Sequence, residues 1–174
     1  MNKITQKTKS LVRASLFCAL CTVATLIAFP AGIGYVNAGD IIVLLAAFSL
    51  SLPEAVAAAA IGSATADLIC GYAIYAPATF IIKGVMVICA VALKKGLNKI
   101  SVPSPIAIFL SCVCAELCMA LGYLIYEWTV LGYGIAALSS TIPNLIQGGF
   151  GCVGGILLYY ILKNTRLTDK LTAI

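Results

Sequence analysis

The chain has 174 residues, of which 62% are hydrophobic, 10% are charged and none is histidine. A soluble domain usually carries about 25% charged residues, so the polar side chains here are too few to cover a water-soluble globule. The composition predicts one integral membrane domain over residues 1–174, with lipid bilayer against most of its surface. The absence of histidine excludes Ser-His-Asp catalysis and histidine-ligated metal sites.

The net charge of +5 comes from basic residues grouped beside apolar runs. Such grouping is typical of membrane topology, in which Lys and Arg remain on the cytoplasmic side. It argues against a nucleic-acid partner. Only Lys83 lies outside the groups. The three groups are Lys3, Lys7, Lys9 and Arg13; Lys94, Lys95 and Lys99; and Lys163, Arg166 and Lys170.

Apolar runs divide the chain into predicted helices. The run over 41–66 contains Pro53, so it could form one long helix or two helices joined at the proline. Two helices place all three basic groups, and both chain ends, on the cytoplasmic side, whereas one helix does not. The first run also resembles a signal peptide, but its length favours a retained helix. The predicted fold is an all-α bundle of six transmembrane helices over 11–29, 38–51, 53–70, 77–95, 104–127 and 140–163.

The eight cysteines lie almost entirely within apolar runs. Cys18 and Cys21 form a Cys-x-x-Cys pair, but neither a βαβ context nor a second pair accompanies it. We interpret the cysteines as small fillers between helices and predict no metal site and no cofactor. The sequence also lacks the Gly-x-x-x-x-Gly-Lys-Ser/Thr phosphate-binding motif, so we do not expect the chain to bind ATP by that route.

Small residues recur four positions apart on three of the predicted helices. This spacing forms a flat stripe along which two helix backbones can approach closely. On the third and sixth helices we favour packing within the bundle. On the first helix, both internal packing and docking to a partner subunit remain open. The stripes are Ser15 and Ala19; Ala58, Gly62 and Ala66; and Gly151 and Gly155.

Four ionisable residues, Asp40, Asp67, Lys83 and Glu116, lie where lipid should exclude them. A charge near the bilayer centre costs about 2.5–3.5 kcal/mol, so such groups usually face a partner or a cavity. Asp67 and Lys83 lie at similar depth on neighbouring antiparallel helices. They are predicted to form a structural ion pair, to contact a polar ligand, or both. Glu116 is either a second partner for Lys83 or a ligand acceptor.

Further polar and aromatic residues lie near the outer ends of the predicted helices. Asn144 and Gln147 share one face of the sixth helix, where their amides could bond another helix or a heterocycle. Aromatic faces beside a few polar groups suit a small ring-shaped ligand. The predicted substrate site opens outward and has no catalytic residue. It consists of Tyr35, Asn37, Asp40, Asp67, Tyr72, Tyr75, Thr79, Lys83, Glu116, Asn144 and Gln147.

Four segments resemble the S component of energy-coupling factor (ECF) transporters, and the riboflavin-type branch in particular. They are residues 34–40 (GYVNAGD), 62–68 (GSATADL), 71–84 (GYAIYAPATFIIKG) and 143–148 (PNLIQG). The resemblance implies a six-helix subunit in a bacterial-type plasma membrane that captures a vitamin or its precursor from outside. It also implies an energising module, made of a transmembrane scaffold subunit and two ATPases, on which the S component topples to release its ligand inward.

The resemblance also suggests roles for particular residues. The docking stripe of the family's first helix matches Ser15 and Ala19, with serine in place of one alanine. The loop after the first helix serves as a lid in the family, and Tyr35, Asn37 and Asp40 match it. Members of the branch handle riboflavin, pyridoxine-like compounds or hydroxymethylpyrimidine. The acidic and amide groups favour a small hydroxylated heterocycle.

Two other classes of protein remain as alternatives. A stand-alone facilitator or channel is one, although the chain shows neither inverted repeats nor a ring-forming polar motif. An intramembrane enzyme with Asp40 or Asp67 as general base is the other, although no dense acid or histidine motif supports it. Dependence of uptake on an ATPase partner would separate the transport subunit from the facilitator.

Overall fold

The computed structural model describes residues 3–31 and 34–165. Strands β1 (Ala28–Ala31) and β2 (Gly34–Asn37) form an antiparallel hairpin after the first helix. A π-helical turn, Tyr126–Val130, extends the fifth helix, and a 3-10 turn, Gly134–Ala137, precedes the sixth. The α-helices of the described ranges are α1 (Lys3–Leu26), α2 (Gly39–Ser49), α3 (Leu52–Ile69), α4 (Ala76–Lys99), α5 (Ser104–Ile125) and α6 (Leu138–Asn164).

Five of these six helices are long and apolar enough to cross a membrane, and α2 is the exception. Its 11 residues rise about 16 Å, against roughly 30 Å for the hydrocarbon core of a bilayer. The side chains from Val43 to Ala47 are buried, and α2 packs against α1, α3, α4 and α6. The short second helix therefore lies within the bundle, and the described structure has five helices of spanning length.

The chain breaks between α2 and α3, as Pro53 predicts. In the first turn of α3 a proline loses no backbone hydrogen bond, because the N–H it lacks would be unpaired there. The carboxylate of Glu54 accepts a hydrogen bond from the backbone N–H of Ser51 at 3.0 Å, which caps the helix start. Arg13 of α1 donates to the same carboxylate at 2.8 Å. These contacts fix the start of α3 against α1.

The β-hairpin is the main difference from the predicted fold. The predicted first span continues to residue 29, but α1 ends at Leu26, and residues 28–31 and 34–37 form two antiparallel strands. Pro30 disfavours continuation of the helix, because it lacks a backbone N–H and its ring clashes with the preceding turn. In the hairpin Pro30 lies opposite Tyr35, and Asn37 lies opposite Ala28. The fold is thus a helical bundle with one hairpin between α1 and α2.

Small residues allow close contact on α3 and α6, as their spacing predicts. A Cβ atom on Gly62 of α3 would lie 2.5 Å from the backbone oxygen of Cys18 on α1. On α6, a Cβ atom on Gly155 would lie 3.0 Å from the Cβ of Leu44 on α2. Side chains larger than hydrogen would push these helices apart. The stripes on α3 and α6 therefore pack within the bundle.

The small-residue stripe of α1 has a different environment. Phe17 and Cys21 of this helix are buried in the core. Ser15 and Ala19 are exposed, as is Leu16 between them, at 48%. Neither residue of this stripe is buried by the bundle, so internal packing does not account for it.

The cysteines pack mainly between helices. Cys21, Cys112 and Cys152 are buried, and the sulfur atoms of Cys89 and Cys118 lie 3.6 Å apart between α4 and α5. These positions fit the interpretation of cysteine as a small, polarizable filler.

Candidate substrate site

A cavity of about 350 Å³ opens at the end of the bundle that carries the β-hairpin. Helices α2, α4 and α6 begin at this end, and α1, α3 and α5 finish here. The volume lies near the lower limit of small-molecule pockets, which enclose roughly 300–1,000 Å³. The lining is rich in tyrosine, amide, hydroxyl and carboxylate groups: Tyr35, Asn37, Asp67, Tyr72, Tyr75, Thr79, Tyr123, Glu127, Ser140, Pro143, Asn144 and Gln147.

Most of the residues predicted for the substrate site surround this cavity. Asp40, Lys83 and Glu116 do not line it, and all three are buried deeper in the bundle. The predicted residues that line it are Tyr35, Asn37, Asp67, Tyr72, Tyr75, Thr79, Asn144 and Gln147.

A network of hydrogen bonds connects the hairpin to the deeper charges. Asn37 of β2 donates to Oε1 of Gln147 from its backbone nitrogen at 3.1 Å and from Nδ2 at 3.0 Å. Gln147 donates from Nε2 to Oδ2 of Asp40 at 2.6 Å. The other carboxylate oxygen of Asp40 forms an ion pair with Lys83. Side chains from β2, α6, α2 and α4 therefore form one polar layer beneath the cavity.

The structure corrects the predicted partner of Lys83. An ion pair between Lys83 and Asp67 was one of the predicted alternatives, but the ammonium group of Lys83 contacts Asp40. Because α2 packs against both α4 and α6, its first turn carries Asp40 directly to Lys83. Asp67 lies instead on the cavity wall, and its Oδ2 is buried without a hydrogen-bond partner in the described part of the chain.

Glu116 lies against α6 beside the ion pair. A Cβ atom on Gly151 would collide with Oε1 of Glu116 and would lie 2.9 Å from the Cβ of Asp40. Both carboxylate oxygens of Glu116 are buried without a hydrogen-bond partner among residues 3–31 and 34–165. In the described part of the chain Glu116 forms no ion pair with Lys83 and does not line the cavity of about 350 Å³. It is an additional acidic group, buried beside Asp40.

Glu127 is a cavity residue that the sequence analysis missed. It lies in the π-helical turn after α5 and is only 6% exposed. Its carboxylate accepts hydrogen bonds from the hydroxyl of Tyr75 at 3.3 Å and from the hydroxyl of Ser140. Burial, together with the neighbouring carboxylate, raises the pKa of Tyr75 well above its usual value, so this hydroxyl remains a donor at neutral pH.

Tyr123 also lines the cavity, although it was not among the predicted site residues, because a tyrosine near the outer end of a helix is also typical of the membrane interface. Its hydroxyl lies 2.9 Å from the hydroxyl of Thr79, and its ring centroid lies 5.8 Å from the Nζ of Lys83. Tyrosine occurs at both kinds of position, because each offers an apolar surface with one polar contact. Residue type and depth therefore could not distinguish a cavity tyrosine from a tyrosine at the membrane interface. The available signal was the spacing of Tyr123 and Glu127, which lie four residues apart on one helix face.

We expect Glu127→Gln to retain the fold and to weaken binding of a ligand that carries N–H or O–H donors. The amide oxygen can still accept from one of the two hydroxyls and the amide nitrogen can donate to the other, but the substitution removes the charge that strengthens a hydrogen bond to a ligand. The dissociation constant should rise at least about fivefold, since charged acceptors add about 1 kcal/mol or more per bond. Ligand titration of the purified protein measures this, with thermal unfolding as the control. An unchanged affinity would contradict a ligand contact at Glu127.

The described residues form a bundle with five helices of spanning length, and a polar cavity rich in tyrosine opens at one end of it. A model of the family described as "ECF-type riboflavin transporter, S component" matches residues 5–164. The chain therefore belongs to the S components of ECF-type riboflavin transporters. This is a family of integral membrane transport subunits, which work with a vitamin-like substrate and an ECF energising module.

Two individual proteins resemble the chain over most of its length. A Pyrococcus woesei protein, described as "Uncharacterized protein in gap 3'region", is 32% identical over 142 residues, which cover 82% of this chain and 91% of the relative. A solved structure described as "Structure and mechanism of the S component of a bacterial ECF transporter" matches with a TM-score of 0.75 and 23% identity. That match covers 91% of this chain and 98% of the other, and it supports the shared fold.

Proposed function

We propose that the chain captures a vitamin-like heterocycle outside the cell for ATP-driven uptake by partner subunits. The observation that carries this proposal is the cavity of about 350 Å³ at the hairpin end of the bundle. The basic residues at the start of α1 and at the end of α4, and Lys163 near the end of α6, lie at the opposite end. Because Lys and Arg favour the cytoplasmic side, the cavity faces outward and both chain ends are cytoplasmic. In this proposal the protein lies in the plasma membrane of a bacterial-type cell.

The proposed ligand is a small heterocycle with several hydroxyl or N–H donors, such as a pyridoxine-like or hydroxymethylpyrimidine-like compound. Two carboxylates, Asp67 and Glu127, and three amides, Asn37, Asn144 and Gln147, are present on the cavity wall. Charged acceptors form the stronger hydrogen bonds with neutral donors. Riboflavin, which the family description names, is the larger candidate, and direct titration of the three compounds distinguishes them.

The β-hairpin is proposed to act as the lid of this cavity. Tyr35 of β2 lines the cavity and is 59% exposed. Asn37 fastens the same strand to Gln147 through two hydrogen bonds, and its Oδ1 accepts from the backbone N–H of Gly39 at 2.9 Å. These few contacts can break and reform as a ligand enters, whereas the helices behind them are held by extensive packing.

The stripe of Ser15 and Ala19 on α1 is proposed to dock onto the transmembrane scaffold of an ECF energising module that carries two ATPases. Both residues are exposed on the outside of the bundle. Small side chains let the backbone of a partner helix approach closely, which is the usual basis of helix association in lipid. Dispersion contacts along the stripe would then hold the subunits together.

Ser15→Trp and Ala19→Trp should each abolish ATP-driven uptake and leave ligand binding to the isolated subunit intact. A tryptophan on the stripe keeps the partner backbone at a distance, but it does not enter the cavity. The measurement is uptake of labelled ligand into proteoliposomes that contain the subunit and an ECF module. Leu121→Trp is the matched control, because Leu121 is 56% exposed on α5 and lies away from α1.

The same assay tests the proposed function as a whole. Uptake should require both ATP and the ECF module. Uptake at an equal rate without the module would contradict the proposal and favour a stand-alone facilitator. Loss of ligand binding in the two tryptophan variants would show that the stripe supports the fold instead.

A further inference from the structure

Two lysines lie close to one aromatic ring at the end of the bundle opposite the cavity. The Nζ atom of Lys94 on α4 lies 5.3 Å from the ring centroid of Tyr159, and that of Lys163 lies 6.0 Å from it. Lys94 also lies 4.7 Å from the ring centroid of Phe48 on α2. Three helix ends thus converge around two ammonium groups, and the ring faces hold these cations in place.

Neither lysine has a carboxylate partner in the described part of the chain. The ion pairs there join Arg13 to Glu54 and Lys83 to Asp40. Two ammonium groups beside one ring repel each other, and an anion between them would remove that repulsion. The hydroxyl of Tyr160, whose ring packs edge-on against Tyr159 at 5.4 Å, is also buried without a hydrogen-bond partner among the described residues. This hydroxyl is an unsatisfied donor on the same turn of α6 as Tyr159.

The depth of the two lysines indicates which anion reaches them. Lys94 lies five residues before Lys99, the last residue of α4, and Lys163 lies one residue before the end of α6. At a rise of 1.5 Å per residue, Lys94 lies about 7 Å inside its helix end. A lysine at that depth extends towards the membrane surface, where lipid phosphates lie. Leu157 and Ile161 of α6 are 59% and 56% exposed, so an acyl chain can pack beside the site.

We propose that Lys94 and Lys163 together bind the phosphate of an anionic phospholipid headgroup. Each ammonium group contacts phosphate oxygens, while Phe48 and Tyr159 keep the two side chains apart and oriented. In the proposed orientation of the protein, the site faces the cytoplasmic leaflet. There an anionic surface attracts lysines that lie close to it. The site is separate from the substrate cavity, and it does not depend on the identity of the ligand.

Native mass spectrometry of the detergent-purified protein tests this site, with phosphatidylglycerol and phosphatidylcholine as probes. We expect phosphatidylglycerol to bind more tightly than phosphatidylcholine. Lys94→Met and Lys163→Met should each weaken its binding about fivefold, which corresponds to one lysine contact at a membrane surface. Lys95→Met and Lys99→Met are matched controls, because both lysines are exposed and have no ring contact among the described residues. These controls should bind phosphatidylglycerol like the original protein.

Three outcomes would overturn the proposal. One is equal loss of phosphatidylglycerol binding in the control variants, which would indicate diffuse attraction to basic residues. Another is unchanged binding in both Lys94→Met and Lys163→Met. The third is stabilisation by inorganic phosphate as large as that by phosphatidylglycerol, measured by thermal unfolding, since this would indicate a site for a free anion. Lys163→Met keeps the test decisive if Lys94→Met fails to fold, because Lys163 is exposed near a helix end.

Discussion

Lys83→Met should lower the free energy of unfolding by about 3–5 kcal/mol, because it leaves the buried carboxylate of Asp40 without its counter-charge. Lys83 is 4% exposed and Asp40 is fully buried, so water cannot replace the lost partner. The unfolding midpoint, followed by circular dichroism in detergent, should fall by at least about 6 °C. A midpoint equal to that of the original protein would contradict the ion pair as a support of the fold.

The second substitution identifies the partner. Asp40→Asn added to Lys83→Met should recover most of the stability, because the amide oxygen still accepts a hydrogen bond from Gln147 and no unpaired charge remains. Asp67→Asn added to Lys83→Met should recover little. If stability is recovered when Asp67→Asn, but not Asp40→Asn, is added to Lys83→Met, the result would contradict the Asp40–Lys83 pair. It would support the Asp67–Lys83 pair that depth along the helices suggested.

Gln147→Leu should raise the dissociation constant of the substrate at least tenfold. The substitution removes an amide from the cavity wall, the two hydrogen bonds from Asn37 and the one to Asp40. A hydrogen bond to a charged group contributes about 1.5–3 kcal/mol, so the floor of the cavity and the position of the hairpin both lose support. Titration of the purified variant with the substrate measures the effect.

The control for Gln147→Leu is Asn98→Leu, which removes an exposed amide near the end of α4, far from the cavity. Its affinity for the substrate should equal that of the original protein. A Gln147→Leu variant that melts earlier but binds the substrate with unchanged affinity would show that the network supports the fold alone.

Local features of the sequence account for the helix boundary at α2 and α3. Pro53 and Glu54 act within one turn of the chain, so their effect does not depend on the neighbouring helices. The hairpin could not be predicted in the same way, because residues 28–37 are mostly apolar and form strands only by pairing with each other. Their apolar character extended the first predicted span to residue 29.

The partner of Lys83 shows why depth was insufficient. Position along a helix fixes how deep a side chain lies, and on that basis Asp67 was a reasonable partner. Which helix lies beside Lys83 depends on the packing of α2 between α4 and α6, and no local pattern reports it. Glu127 was missed for a related reason: it is the last residue of the predicted fifth span, and only the π-helical turn at Tyr126–Val130 brings its side chain to the cavity wall.

The most direct test of the proposed function is mass spectrometry of small molecules that co-purify with the detergent-solubilised protein, followed by titration of each molecule found. The proposal predicts one bound vitamin-like heterocycle, with riboflavin, pyridoxine and hydroxymethylpyrimidine as the titration panel, and weaker binding of the same compound to Gln147→Leu. A well-folded protein that retains no such molecule and binds none of the three would contradict a substrate-binding role for the cavity.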